Sequence, residues 1–168
     1  MMTYKEIQRF RQPWLWVLLG LLWLSMTGMF AYGLIRQLIH GIPFGSSPLS
    51  DTGLIVSAIF TFLLVTAIVV LFITARLTTK INNEGIFYRF SPFHREERRI
   101  AWDQISDIRI VSYHPIRQFG GWGIRYGKNA VAYNVSGNKG IEITLKNGER
   151  ILLGTQKAEV MKSVLKVN

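Results

Sequence analysis

Few side chains in this sequence of 168 residues are suited to acid–base or metal chemistry. There is no cysteine, which excludes disulfides, thiolate-bound metals and cysteine nucleophiles. The histidines are His40, His94 and His114, and no two of them have the i, i+4 spacing that places two metal ligands on one helix face. Asp103 and Asp107 are near two of them in sequence, but the spacing pairs no nucleophile with a base. We therefore expect a protein that is not an enzyme and that has no catalytic residues, metal or cofactor.

A glycine-rich run at residues 120–127 is the segment that most suggests a binding site. It lacks both the spacing of a dinucleotide-binding loop and the Gly-Lys-Ser/Thr ending of a phosphate-binding loop. Its alternation predicts a strand with Trp122 and Tyr126 on the core face and Arg125 on the other face, between glycines. Such an arginine offers five donors to a carboxylate, a phosphate or a partner's backbone. Trp122, Arg125 and Tyr126 are thus the predicted interaction residues; in the alternative, Arg125 only pairs with a neighbouring strand, for example with Glu142.

Basic side chains suggest a second kind of contact. The chain has 20 Lys and Arg against 10 Asp and Glu, a net charge of +10. A basic residue close to an acidic bilayer surface adds roughly 1 kcal/mol of attraction, so no nucleic-acid partner is needed to explain the excess. The candidate contacts with anionic lipid are Arg76, Lys80, Arg95, Arg98 and Arg99, in a cluster that Glu96 and Glu97 dilute.

Two long segments without charged residues precede the candidate lipid contacts in the sequence. Residues 14–35 and 53–75 contain no Asp, Glu, Lys, Arg or His. About 20 apolar residues, each rising ~1.5 Å, cross a hydrocarbon core of ~30 Å. The first segment is too long for the apolar core of a signal peptide, which has ~7–15 residues. The sequence therefore predicts two transmembrane helices at residues 14–35 and 53–75.

The charges beside these helices predict their orientation. Lys5, Arg9 and Arg11 precede the first helix, and the chain after the second helix has 16 basic and 8 acidic residues. Short flanks rich in Lys and Arg stay on the cytoplasmic side. We therefore expect residues 1–13 to be a cytoplasmic N-terminal segment and residues 36–52 an extracytoplasmic loop. The protein would be a multi-pass protein of the inner (cytoplasmic) membrane with both termini in the cytoplasm.

Residues 77–168 have a different pattern, typical of short β-strands. Apolar and polar residues alternate at 86–90 and 141–145, and turn sequences separate such segments. The Asn-Gly pair at 147–148 is the strongest hairpin signal, and another turn is expected at 127–129. About seven strands are expected in all.

The end of the chain changes to helical spacing. Thr155 is a candidate N-cap, and Val160, Met161, Val164 and Leu165 fall on one face. The predicted fold is therefore a membrane α-helical hairpin followed by an all-β barrel or sandwich, which the C-terminal helix caps. This order of elements resembles a pleckstrin-homology-like (PH-like) domain.

Several segments extend this resemblance to the whole chain. They are residues 8–12, 50–55, 132–138 and 153–155, and above all the Gly-Gly-Trp-Gly-Ile-Arg-Tyr-Gly run at 120–127. The chain resembles small, uncharacterised bacterial membrane proteins that join a two-helix hairpin to a C-terminal bacterial PH-like domain. The resemblance implies an architecture and a membrane location, with no assigned reaction.

Two functions fit these expectations. In the first, residues 77–168 form a PH-like domain that acts as a protein-interaction or scaffolding module at the cytoplasmic face of the membrane, with a protein partner of unknown identity. In the second, the same domain binds or senses anionic lipid headgroups. Either way the lipid bilayer is a partner and nucleic acid is not.

Overall fold

The computed structural model describes residues 4–127 and 130–167, with side chains as far as Leu165. The chain divides into two compact units. A helical unit is formed by Arg11–Ile73, and a β unit by Met1–Phe10 together with Thr74–Asn168. The helical unit is thus inserted near the start of the β unit, which is built from both ends of the chain.

The helical unit contains α1 (Pro13–Leu34) and α2 (Asp51–Thr74), with one π-helical turn, Ile35–Ile39, extending α1. Proline suits the start of α1, because the first N–H of a helix has no partner within it. Within the described residues, these two helices are long and apolar enough to cross a membrane. In the most apolar 18-residue stretch of each helix, only 11% of α1 and 17% of α2 is buried, whereas the core helices of a soluble domain are mostly buried.

Side-chain contacts close the hairpin within this unit. Trp23 Nε1 donates a hydrogen bond to Thr66 Oγ1 at 3.0 Å. At the loop, Gln37 Nε2 donates to Leu49 O at 2.9 Å and to Asp51 Oδ1 at 2.8 Å. The predicted loop is therefore a folded connection that holds the ends of the two helices together.

The described part of the β unit contains nine strands, a short 3-10 turn and two further helices. The strands are β1 (Tyr4–Arg9), β2 (Arg76–Asn82), β3 (Gly85–Ser91), β4 (Arg98–Ile100), β5 (Ile105–Ser112), β6 (Gly123–Tyr126), β7 (Ala130–Asn134), β8 (Lys139–Leu145) and β9 (Arg150–Gly154). The 3-10 turn, Trp102–Gln104, precedes β5; α3 (Pro115–Phe119) follows it, and α4 (Ala158–Val167) ends the chain. Residues 128 and 129, part of a predicted turn, lie outside the described residues.

These strands form two sheets, with the orders β1-β2-β3-β4 and β5-β8-β9-β7-β6. The alternation in the sequence correctly predicts the inward residues of β3 and β8: Ile86, Phe90, Ile141 and Ile143 are at most 1% exposed. Of the expected barrel or sandwich, the barrel is wrong, because the strands form two sheets that are not closed. The turn at Trp102–Gln104 redirects the chain between the sheets, and β7 pairs with β9 in parallel. Alternation indicates which face of a strand is buried, but not which strand lies beside it.

Strand β1 was not expected, since residues 1–13 were predicted to be a terminal segment. It pairs antiparallel with β2, with Tyr4 opposite Ile81 and Arg9 opposite Arg76. Its inward side chains are polar or aromatic, whereas Ile7 points outward and is 51% exposed. The apolar alternation that marks other strands is therefore missing here.

A buried carboxylate fixes β1 to the end of the β unit. Glu6 is 4% exposed, and its oxygens accept hydrogen bonds from Tyr4 Oη at 2.6 Å, Thr155 Oγ1 at 2.7 Å and Gln156 N at 2.8 Å. Burial and the contact with Glu6 raise the pKa of Tyr4, so its hydroxyl stays a donor. Glu6 thus compensates for the missing apolar contacts of β1.

The closing helix is present, but its buried face differs from the predicted one. Thr155 Oγ1 accepts a hydrogen bond from Lys157 N at 3.0 Å, but α4 begins only at Ala158, so Thr155 stabilises the turn before the helix and is not its N-cap. Met161 and Val164 are buried, whereas Leu165 is half-buried and Val160 is 52% exposed. Ala158, Met161 and Val164 follow each other at three-residue spacing and form the buried stripe of α4, and Val160 lies outside it.

Candidate functional site

A groove of about 940 Å³ lies where β3 and β4 of the first sheet meet strands and turns of the second. We call it the Tyr–Arg groove, after its most frequent residue types. Its lining consists of Tyr88, Arg98, Asp107, Arg109, Tyr126, Gly127, Ala130, Val131, Tyr133, Thr144, Asn147, Gly148, Glu149, Arg150 and Ile151. Both sheets therefore contribute to one concave surface.

Aromatic rings form the deep wall of this groove. Tyr88 of β3 and Tyr133 of β7 are buried, with ring centroids 5.0 Å apart. His94 lies behind them, 5.3 Å from the Tyr133 ring and 6.1 Å from the Tyr88 ring. Tyr126 at the end of β6 is 80% exposed. The groove thus combines a packed aromatic wall with an aromatic side chain open to solvent.

A fixed cation lies beside this wall. Arg98 Nη1 donates a hydrogen bond to Tyr133 Oη at 3.1 Å. Hydrogen bonding to Tyr88 raises the pKa of Arg98, and burial raises the pKa of Tyr133 to about 12. At neutral pH the guanidinium is therefore charged and the Tyr133 phenol is neutral. This pair presents a positive charge and hydroxyl oxygens at the same point of the groove.

The opposite wall has charges of both signs. Arg109 forms an ion pair with Glu142 at 3.1 Å and a longer one with Asp107 at 3.5 Å. Arg150 and Glu149 follow the turn between β8 and β9. Among the described lining residues, three arginines face two carboxylates. The arrangement suits a ligand with both apolar and anionic groups.

The predicted interaction residues do not form one site. Tyr126 lines the Tyr–Arg groove, but Trp122 and Arg125 do not. Trp122 Nε1 donates to Gly137 O at 3.1 Å, and Arg125 Nε donates to Trp122 O at 3.0 Å. The alternative, a pair between Arg125 and Glu142, is absent from the described contacts, in which Glu142 binds Arg109.

The expected core face of this strand is also wrong, because Tyr126 is exposed. Gly121 and Gly123 have φ values of 129° and 112°, a region that L side chains rarely adopt. Strand β6 begins only at Gly123, so the backbone at Trp122 does not continue the alternation of the strand. The glycines thus provide the positive φ values that this segment of backbone adopts.

The structure also separates the five candidate lipid contacts. Lys80 pairs with Glu97 at 2.8 Å, Arg98 lies in the Tyr–Arg groove, and Arg99 donates to Glu84 O at 3.1 Å. Arg76 lies opposite Ser91, whereas Arg99 lies opposite Phe87, four residues back along β3. At ~3.3 Å per residue this is about 13 Å. Of the five candidates, Arg76 and Arg95 are the two exposed residues near the end where β3 leaves the sheet.

Sequence reasoning missed most of the groove. Tyr88 and Tyr133 look like ordinary core residues in an alternating strand, and they are buried as such. Their hydroxyls become significant only because β3 and β7, which are distant in sequence, meet across the two sheets. No sequence signal predicts that meeting. In the described part of the chain, no group of three or more His, Asp or Glu is arranged to hold a metal ion.

Comparison with known proteins adds no family to this description. Neither a scan against protein-family models nor a search of curated proteins found a match to this chain. The resemblance to bacterial PH-like membrane proteins therefore stays a prediction.

Proposed function

We propose that this chain is a two-span membrane protein whose β unit lies on the cytoplasmic side and binds a protein partner through the Tyr–Arg groove. The observation that carries the proposal is the lining of the groove, with its tyrosines and arginines. Tyrosine and arginine are enriched among the residues that dominate protein–protein binding energies. Tyr126 and Arg98 offer both types within one concave surface.

The membrane part of the proposal rests on α1 and α2. Their apolar side chains are largely exposed, including Leu21, Leu63 and Phe60 at 60% or more. Exposed apolar surface of this extent is unfavourable in water and favourable in lipid. The pairing of β1 with β2 supports the same topology, because it requires the chain to return to the side from which it left. Two crossings meet this requirement.

The described residues favour a binding module over an enzyme. The buried His94 behind the tyrosine wall accepts a hydrogen bond from Phe90 N through Nδ1, so this nitrogen is engaged within the fold. In the proposed role the protein is a scaffold of PH-like type that holds its partner at the inner membrane. The partner's segment would supply an aromatic or aliphatic side chain for the tyrosine wall and a carboxylate for Arg98.

A specific pocket for a lipid headgroup is the second candidate, and the arrangement of the cations does not favour it. Three of the cations, Lys80, Arg98 and Arg99, already have partners within the β unit. Arg99 and Arg76 lie opposite residues of β3 that are four positions apart. A headgroup pocket requires its cations to converge on one phosphate. The lipid-binding hypothesis therefore applies only to the end of the first sheet where Arg76 lies.

Site-specific photocrosslinking of the full chain in its native membrane tests the protein-binding proposal. A benzophenone amino acid at Tyr126 should yield one discrete protein adduct, and Arg98→Gln should reduce its yield severalfold. The matched control carries the same probe at Val160, which is exposed but outside the groove lining. Adducts of equal yield from both positions, or a Tyr126 adduct unaffected by Arg98→Gln, would refute the groove as the binding site.

A further inference from the structure

One end of the first sheet is where the β unit connects to both long helices. Strand β1 ends at Arg9 and is followed after three residues by α1; α2 ends at Thr74, and β2 begins at Arg76. Arg9 is opposite Arg76, and Arg76 is opposite Ser91, the last residue of β3. Residues 92–95, which follow β3, therefore leave the sheet at this same end.

Two like charges face each other here. Arg9 and Arg76 are cross-strand partners, and both are exposed. Like charges directly opposite each other destabilise a strand pair. No described carboxylate lies within ion-pair distance of either arginine. The pair thus lacks a counter-charge within the described residues and suits an external anion.

The loop after β3 adds an exposed aromatic side chain and a third arginine. Phe93 is 58% exposed although its ring lies 6.1 Å from that of the buried Phe90. The loop is held firmly: His94 N donates to Phe90 O at 2.8 Å, and Phe90 N donates to His94 Nδ1 at 3.3 Å. Arg89 Nε adds a bond to His94 O at 3.2 Å. Phe93 is therefore held in an outward position, with the exposed Arg95 two residues further on.

We propose that Arg9, Arg76, Phe93 and Arg95 form a lipid-contact patch that rests on an acidic membrane surface. In this arrangement the Phe93 ring enters the interface, where aromatic side chains are favoured. The arginines lie at phosphate level, where a guanidinium can bind phosphate oxygens in pairs. The proposal rests on the proposed membrane insertion of α1 and α2.

Covalent connection argues for lipid as the occupant of the patch. Both strands that carry the paired arginines are joined to apolar helices through at most three residues, so a bilayer that holds the helices lies within reach of these side chains. Lys80 and Arg99 lie about 13 Å from Arg76 along the strands. This separation exceeds the Debye length of about 8 Å at physiological ionic strength, so the two residues are not part of the patch. Of the five lipid contacts predicted from the sequence, the patch contains Arg76 and Arg95. It also contains Arg9 and Phe93, which were not among them.

The test uses the full chain in nanodiscs of phosphatidylcholine and phosphatidylglycerol, with a fluorophore on single cysteines. Phe93→Cys reports on the patch. Asn83→Cys is the matched control, because Asn83 is exposed in the turn at the opposite end of the same β2–β3 hairpin. Leu63→Cys, on an exposed position of α2, reports on membrane insertion. A lipid-attached spin label should quench the signal at 93 severalfold more than at 83.

The outcomes separate this proposal from the membrane proposal. Quenching at position 63 without quenching at 93 refutes the patch and leaves the two-span topology standing. No quenching at position 63 refutes the membrane insertion itself. Equal quenching at 83 and 93 also refutes the patch, because the contact would then not be confined to one end of the sheet.

A charge variant provides an independent measurement. The lipid-attached spin label should quench the fluorophore at Phe93→Cys much less when Arg9→Gln and Arg76→Gln are combined. The same loss of quenching is expected when phosphatidylglycerol is omitted. Lys5→Gln with Lys139→Gln removes the same charge from exposed positions elsewhere on the β unit and should leave quenching unchanged. Equal losses in the two double variants would show that net charge, and not this patch, attracts the lipid.

Discussion

At the scale of single residues, His94 connects the two surfaces described above. Its ring is 8% exposed and lies against Tyr88 and Tyr133, which form the wall of the Tyr–Arg groove. Its Nδ1 accepts from Phe90 N, which fixes the loop that presents Phe93. In the sequence His94 is one of three scattered histidines, and nothing predicts its burial. Its role depends on contacts between strands that are distant along the chain.

The pKa of His94 predicts a loss of stability in acid. Burial, and secondarily the charge of Arg98, lower this pKa in the fold below the unfolded value of about 6.5. The unfolded chain then binds more protons, so the His94 contribution to stability is complete above about pH 6.5 and is lost as the pH falls through that value towards the folded pKa. His94→Gln, which cannot titrate, should therefore make the free energy of unfolding less sensitive to acid.

Urea unfolding of the full chain in detergent, followed by near-ultraviolet circular dichroism, measures this sensitivity. The control is His114→Gln, at an exposed loop position, which should retain the acid sensitivity of the unmodified chain. An unchanged pH dependence in His94→Gln would contradict the assignment.

At the scale of elements, the sequence predicts faces better than neighbours. Residues 86–90 and 141–145 alternate because one face of each strand packs into the core, and their strands form as predicted. The parallel pairing of β7 with β9 and the presence of β1 could not be predicted in this way. Pairing depends on contacts distant in sequence, and β1 uses the hydrogen bonds of Glu6 where other strands use apolar contacts. The groove depends on the same long-range pairing, so only Tyr126 among its lining tyrosines was predicted.

The closing helix provides a test with an internal control. Met161 is fully buried and Val160, beside it on α4, is 52% exposed. Met161→Asp removes a buried side chain and introduces an unpaired charge, so it should lower the free energy of unfolding by at least about 3 kcal/mol. Val160→Asp should change it by no more than about 0.5 kcal/mol. Thermal unfolding of the two full-length variants in detergent measures the difference; similar melting temperatures would show that α4 is not packed through Met161.

At the scale of the whole molecule, the β unit is built from chain segments that precede and follow the helical unit. Strand β1 precedes α1 and β2 follows α2, yet the two strands are adjacent. The β unit is therefore complete only when the chain has returned from the hairpin. The charge distribution predicts that both ends of the helical hairpin lie on the same side of the membrane. The pairing of β1 with β2 is an independent structural reason for the same expectation.

The absence of native cysteine allows this topology to be measured directly. Single cysteines at Ser46, in the loop between α1 and α2, and at Lys5 and Asn83, on β1 and after β2, are all at exposed positions. In intact cells a membrane-impermeant maleimide should label Ser46→Cys alone, and permeabilisation should expose Lys5→Cys and Asn83→Cys together. The key comparison is between the last two, because β1 and β2 are hydrogen-bonded neighbours and cannot lie on opposite sides of a membrane. If Lys5→Cys is labelled in intact cells and Asn83→Cys is not, the β1–β2 pairing is contradicted. If both are labelled and Ser46→Cys is protected, the predicted orientation in the membrane is reversed and the fold is unchanged.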